Sequence, residues 1–139
     1  MENKEPTQEQ IKVSESEVKY AVNEYLETMK AMGKLWFCRL NAGDFIEERG
    51  GSRRRIKGAG KGTSDFIVIQ GGEVQMFHAI QKSIHAIHPI SFVTFIECKS
   101  SIGKESPEQK EFEELVTKLN CRYAIVRSVD DLIEVLNRE

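Results

Sequence analysis

The sequence predicts an α/β fold, one mixed sheet flanked by helices, and three observations carry that expectation. Two apolar runs of strand character, 65–69 and 92–99, sit in the middle of the chain. Helical stripes lie on either side of them, at 18–32 and at 112–119. The whole order reads α-β-(β)-β-insert-β-α-β-α, an alternation that an all-α or all-β chain does not show. At 139 residues the chain fits one domain, for which we expect bounds of 14–139 after a flexible arm at 1–13.

Each element has its own grounds. Ser14-Glu15-Ser16-Glu17 is a capping box, followed by Val18, Ala21, Val22, Tyr25, Leu26, Met29 and Met32 at helical spacing and by Gly33 as terminator. Residues 35–40 are a strand, closed by the turn formers of 41–44. Residues 43–64 hold six glycines and are expected to form a mobile loop with a short strand near 54–56. Asp65-Phe66-Ile67-Val68-Ile69 is apolar on both faces after its aspartate, as central strands are. Gly71-Gly72 then reads as a turn. Phe77, Ile80, Ile84 and Ile87 recur at helical spacing ahead of Pro89 and predict a helix in the insert. Residues 92–99 form a second central strand. Ser106-Pro107-Glu108-Gln109 opens a helix with a serine cap and proline at its first position. Its stripe is Phe112, Leu115, Val116 and Leu119, and Asn120 can cap it. Residues 121–127 are the last strand, and Val129, Leu132, Ile133 and Leu136 mark a terminal helix.

Composition removes several classes of function. No apolar run approaches the roughly 20 residues that span a bilayer, and residues 1–17 are too polar and acidic for a signal peptide, so we expect a soluble intracellular protein with no membrane partner. Cys38, Cys98 and Cys121 never form a CxxC and are odd in number, which predicts reduced, buried thiols rather than a disulfide framework or zinc ribbon. The net charge of −2 argues against wholesale coating of nucleic acid. Its distribution is more informative: Arg49, Arg53, Arg54, Arg55, Lys57 and Lys61 fall within one acid-free segment, enough to meet a phosphate backbone locally. A solvated basic loop is the plain alternative.

The chemistry concentrates at strand ends. Alternation puts Glu97 and Lys99 on one side of their strand and Cys98 on the other. Charges at the end of an apolar strand are unfavourable unless paired or used. Asp65 opens the other apolar strand, so pairing of the two strands would bring Asp65, Glu97 and Lys99 together. Two carboxylates with the Cys98 carbonyl suit Mg²⁺, a hard cation that retains several waters. Such an ion activates water and offsets charge on a phosphate, while lysine orients the attacking water or stabilises the transition state. No nucleophile elbow and no Walker loop is present, so phosphodiester hydrolysis is favoured over acyl transfer.

Gly60-Lys61-Gly62-Thr63-Ser64-Asp65, Glu97-Cys98-Lys99 and Ser106-Pro107-Glu108-Gln109 resemble the PD-(D/E)XK nuclease superfamily, specifically its VRR-NUC (virus-type replication-repair nuclease) branch. Arg39-Leu40-Asn41-Ala42-Gly43 is similar to that branch's Arg-x-Asn-x-Gly stretch, and Glu17 to its acidic residue near the start of the first helix. The resemblance spans roughly residues 14–136 in consistent order. It implies a restriction-endonuclease-like core (αβββαβ order with an inserted segment) and Mg²⁺ or Mn²⁺ held by Asp65, Glu97 and Glu17, to which the strand chemistry adds the Cys98 carbonyl. It also implies Lys99 as catalytic lysine and Gln109 as an active-site helix residue; DNA contacts are expected of Arg39, Asn41, Arg53, Arg54, Arg55, Lys57 and Lys61. The function implied is a structure-selective DNA endonuclease acting on branched, flapped or junction DNA in replication, recombination or repair, dimeric, in the cytoplasm of a bacterial cell or a virus-infected host. Ser64 stands where proline is usual, and residues 71–91 are longer than the usual connection.

Three matters stay open at this level. A capping box explains Glu17 as well as a metal does, and the same holds for Gln109, three residues after Ser106. Lys99 has an ion-pair role as rival to a catalytic one. The alternative functions are a DNA-binding module that needs a partner for cleavage, and an interaction protein using 71–91.

Overall fold

The computed structural model describes residues 12–78 and 83–138. Its elements are α1 (Glu15–Ala31), β1 (Trp36–Arg39), β2 (Asp44–Arg49), β3 (Ser52–Lys57), β4 (Phe66–His78), β5 (Ser83–Cys98), α2 (Pro107–Lys118), β6 (Arg122–Val126) and α3 (Val129–Leu136). The main sheet has the order β1-β4-β5-β6. β1 and β5 run antiparallel to β4, whereas β6 runs parallel to β5. The fold is therefore mixed α/β with a mixed central sheet, as the element order predicts. Most of the expected N-terminal arm lies outside the described residues.

Alternation along the central strands decides which helices pack where. Phe66, Val68 and Ile96 point to one face and join Val18, Val22 and Leu26 of α1 with Leu132, Val135 and Leu136 of α3 in the buried core. On the opposite face, Phe95 meets Phe112 of α2 edge-on at 5.1 Å between ring centres. The sheet thus carries α1 and α3 on one side and α2 on the other.

The helix termini follow the sequence signals. Ser14 and Ser106 both form complete capping boxes. Gly33 (φ 70°) ends α1, and Asn120 (φ 63°) takes the left-handed position after α2, where the Cys121 N–H donates to the Val116 carbonyl at 2.9 Å.

The described part of the insert, to His78 and from Ser83, is strand and not helix. β4 and β5 run on past the main sheet as an antiparallel ribbon in which Val74 opposes His88 and Gln75 opposes Ile87. The helical spacing of Phe77, Ile80, Ile84 and Ile87 is outweighed by two β-branched, already paired strands that continue pairing outward. Gly71 and Gly72 lie within β4 and do not turn the chain. A side chain at Gly72 would run into the Phe92 ring, so this glycine marks a close approach. Residues 79–82, which join the two strands, lie outside the described residues. The loop expected at 43–64 instead contains a regular hairpin, β2–β3, with every residue from Asp44 to Lys57 paired except the Gly50-Gly51 turn. Of the three cysteines only Cys98 is buried; Cys38 is exposed. Trp36 is half-exposed at the sheet's edge, not in the core.

Leu26 is fully buried in this core while Tyr20, on the same helix, is 69% exposed. Leu26→Ala is expected to lower unfolding stability by about 2–5 kcal/mol, against a change within about 0.5 kcal/mol for Tyr20→Ala, both read from urea-unfolding midpoints.

Candidate metal centre at the ends of β4 and β5

The pairing of Phe66 with Ile96 sets what happens one step further along the ladder. Asp65, immediately before β4, comes against Glu97, the penultimate residue of β5. The two carboxylates expected to converge do so. Asp65 is pinned from both sides: its carbonyl accepts from the Leu40 N–H at 2.8 Å, and its Oδ2 accepts from the Cys98 N–H at 2.8 Å. Its Oδ1 lies 3.1 Å from Lys19 Nζ, which also reaches Glu15 Oε1 at 2.8 Å.

Glu97 is 2% exposed and Lys99 7%, both buried beyond what charged side chains tolerate without partners. Lys99 Nζ lies 3.3 Å from Glu97 Oε1. The same oxygen accepts from Gln109 Nε2 at 2.7 Å. Glu97 Oε2 is buried and has no hydrogen-bond partner. Burial and then the charge of Asp65 push the Glu97 carboxyl up to about 7, against the pull of Lys99.

Gln109 caps α2 and reaches Glu97 at the same time. Its Oε1 accepts from the Ser106 N–H at 2.9 Å, closing the capping box, while its Nε2 turns to Glu97. The first turn of α2 is itself seated against the loop before Asp65. A Cβ on Gly62 (φ 85°) would meet the Glu108 carbonyl oxygen at 2.5 Å, so only glycine permits this approach. Lys61 Nζ adds an ion pair to Glu108 at 2.8 Å. On the far side, Arg127 donates to the carbonyls of Ser100 and Gly103 and holds the loop that follows Lys99.

Glu17 does not join this cluster. Its carboxylate accepts from the backbone N–H and hydroxyl of Ser14 at 2.7 and 2.8 Å, which lowers its pKa. Among the described residues no three His, Cys, Asp or Glu side chains converge as metal ligands. The helix instead sends Lys19 to the site. For Lys19, burial works to lower the pKa but the bond to Glu15 and the charge of Asp65 outweigh it and raise it. Sequence reasoning missed Lys19 because it reads as the ordinary i, i+4 partner of Glu15. The Cys98 thiol, pushed up to about 12 by burial and then by Asp65 and Glu97, stays neutral and offers no thiolate.

The basic segment is less free than its composition suggests. Across the β2–β3 ladder, Arg55 pairs with Asp44, Arg53 with Glu48 and, along β2, Arg49 with Glu47. Arg54 and Lys57 have no ion pair among the described residues, and with Arg39 and Asn41 they are exposed. The ribbon thus carries five cations against three acids from Asp44 to Lys57.

The donor set fits a hard divalent cation. Two carboxylates meet, one of their oxygens is buried and unsatisfied, and two ammonium groups flank them, Lys99 on Glu97 and Lys19 on Asp65. Comparison of the chain with known protein families, with curated proteins and with solved structures finds no match. No helix among the described residues is long and apolar enough to cross a membrane.

The raised Glu97 pKa has a definite sign. The folded protein favours protonated Glu97, so this contribution to stability is present below about 4.5 and is lost as pH rises through about 7. The unfolding free energy of the wild type minus that of Glu97→Gln is expected to fall over this window by something on the order of 3 kcal/mol and then level off. Urea unfolding of both proteins between pH 4.5 and 8 measures it; a difference that grows with pH contradicts the assignment.

Proposed function

We propose that this chain is a Mg²⁺- or Mn²⁺-dependent DNA endonuclease with a restriction-endonuclease-like core of the PD-(D/E)XK, VRR-NUC type. One observation carries the reading: Glu97, buried with one carboxylate oxygen unpartnered, lies against Asp65 with Lys99 and Gln109 on its other oxygen. A structural ion pair needs no second carboxylate.

Asp65 and Glu97 would hold the metal, with the Cys98 carbonyl as a third protein oxygen, and an ion bound there would supply water activation and positive charge against the scissile phosphate. Lys99 gives hydrogen bonds and positive charge to the attacking water or the phosphate. Gln109 fixes the rotamer of Glu97, and because it also caps α2, that helix holds the carboxylate in place. Arg54, Lys57, Arg39 and Asn41 contact the DNA backbone, assisted by Arg53, Arg55 and Lys61 once phosphates compete for their acidic partners.

The resemblance of residues 60–65, 97–99 and 106–109 to VRR-NUC nucleases favours branched, flapped or junction DNA as substrate and a homodimer as the working form. Exposed Val74, Met76 and Ile87 on the β4–β5 ribbon offer apolar surface for such a partner, in place of the helical stripe expected from sequence.

With Mg²⁺ or Mn²⁺ the protein is expected to cleave at least one of linear, flapped, nicked or four-way DNA. Asp65→Ala and Lys99→Ala should each lower the rate by at least about 100-fold, and EDTA should abolish it. Undiminished cutting by Lys99→Ala overturns the mechanism. Salt-sensitive binding that persists in EDTA, with no turnover on any substrate, points instead to a DNA-binding module that depends on a partner.

A further inference from the structure

Two lysines serve the carboxylate pair, and they are built differently. Lys99 follows directly on β5, its side chain is 9% exposed, and it contacts Glu97. Lys19 belongs to α1, its side chain is 27% exposed, and it is shared between Asp65 Oδ1 at 3.1 Å and Glu15 Oε1 at 2.8 Å. Glu15 is 40% exposed at its side chain, so the second partner of Lys19 lies toward solvent.

Asp65 has little left to offer an incoming cation. Its Oδ2 is occupied by the Cys98 N–H, and its Oδ1 faces the Lys19 ammonium. Glu97 Oε2, on a residue 2% exposed, is unpartnered. The pair therefore has one oxygen awaiting a donor or cation and one oxygen covered by a compact, mobile ammonium on a flexible four-carbon stem. An ammonium in that position neutralises Asp65 where two neighbouring carboxylates otherwise repel, and it carries the same sign of charge as the ion the site fits.

We propose that Lys19 is a displaceable counter-cation: it holds Asp65 Oδ1 when no divalent ion is bound, and swings to Glu15 when one enters. The proposal rests on the metal-site reading above and adds that the chain supplies its own competitor for the metal. A permanent structural bridge to Asp65 would make Lys19 indifferent to metal or a support for its binding. A counter-cation makes its removal favourable to the metal.

The test is Mn²⁺ titration of the full chain without DNA, following the free-ion electron paramagnetic resonance signal. Lys19→Met keeps the apolar stem and removes the charge. It is expected to tighten Mn²⁺ binding by about fivefold, the size of a part-exposed ion pair, while Lys19→Arg, which keeps the charge, stays near wild type. Metal-free Lys19→Met should also melt lower than wild type and gain more in melting temperature when Mn²⁺ is added. If Lys19→Met folds poorly, Lys19→Gln replaces it with the same expectation. Wild-type binding that is equalled or exceeded by Lys19→Arg and not improved in Lys19→Met overturns the counter-cation and leaves the metal site standing. Failure of wild type and Lys19→Met alike to bind Mn²⁺ overturns the metal site itself.

Discussion

Antiparallel pairing of β4 with β5 imposes the central constraint on this molecule. With Phe66 opposite Ile96 and both buried in the core, Asp65 has no freedom to lie anywhere but against Glu97. The hydrophobic ladder therefore forces two carboxylates together at the point where the strands end. Such a contact is unfavourable in isolation: burial and the Asp65 charge raise the Glu97 pKa well above its ordinary value. A one-residue slip would turn every side chain of β5 to the opposite face, so the core that stabilises the fold also fixes the site.

The surrounding structure is arranged to hold that contact. The Cys98 N–H, Lys19, Lys99 and Gln109 each give a donor to one of the two carboxylates. Three of the four come from separate elements, α1, β5 and α2, so the site binds together layers on opposite faces of the sheet. Gln109 makes this coupling explicit, because one side chain bonds both the α2 cap and Glu97. Gly62 extends the coupling to the loop before Asp65 through its close approach to Glu108.

The placement of charged residues at strand ends was the most legible part of the sequence. Asp65, Glu97 and Lys99 sit at the ends of apolar runs whose period and length mark central strands, and strand alternation places Glu97 and Lys99 on one side. The capping boxes at Ser14 and Ser106 and the left-handed Asn120 are local, and local chemistry is what a sequence displays best. Features set by tertiary contact were harder. Residues 73–91 satisfy helical spacing, yet the strands they extend were already paired, and continued pairing prevails. The Arg-rich segment looked free because its neutralising acids, Asp44, Glu47 and Glu48, stand earlier in the chain, and Asp44 and Glu48 meet it only across the β2–β3 ladder. Lys19 was hidden behind an ordinary helix pair, and nothing short of the packing of α1 against the sheet end reveals its second partner. Glu17 illustrates the converse, since its local cap occupies it fully.

The central claim is that Asp65 and Glu97 share one divalent ion. Crystals grown with Mn²⁺ and measured for anomalous scattering test it most directly. The account predicts a single strong anomalous peak per chain within coordination distance of both carboxylates, with Lys99 beside it. A peak elsewhere, or none between residues 65 and 97 in crystals soaked to saturation, contradicts it.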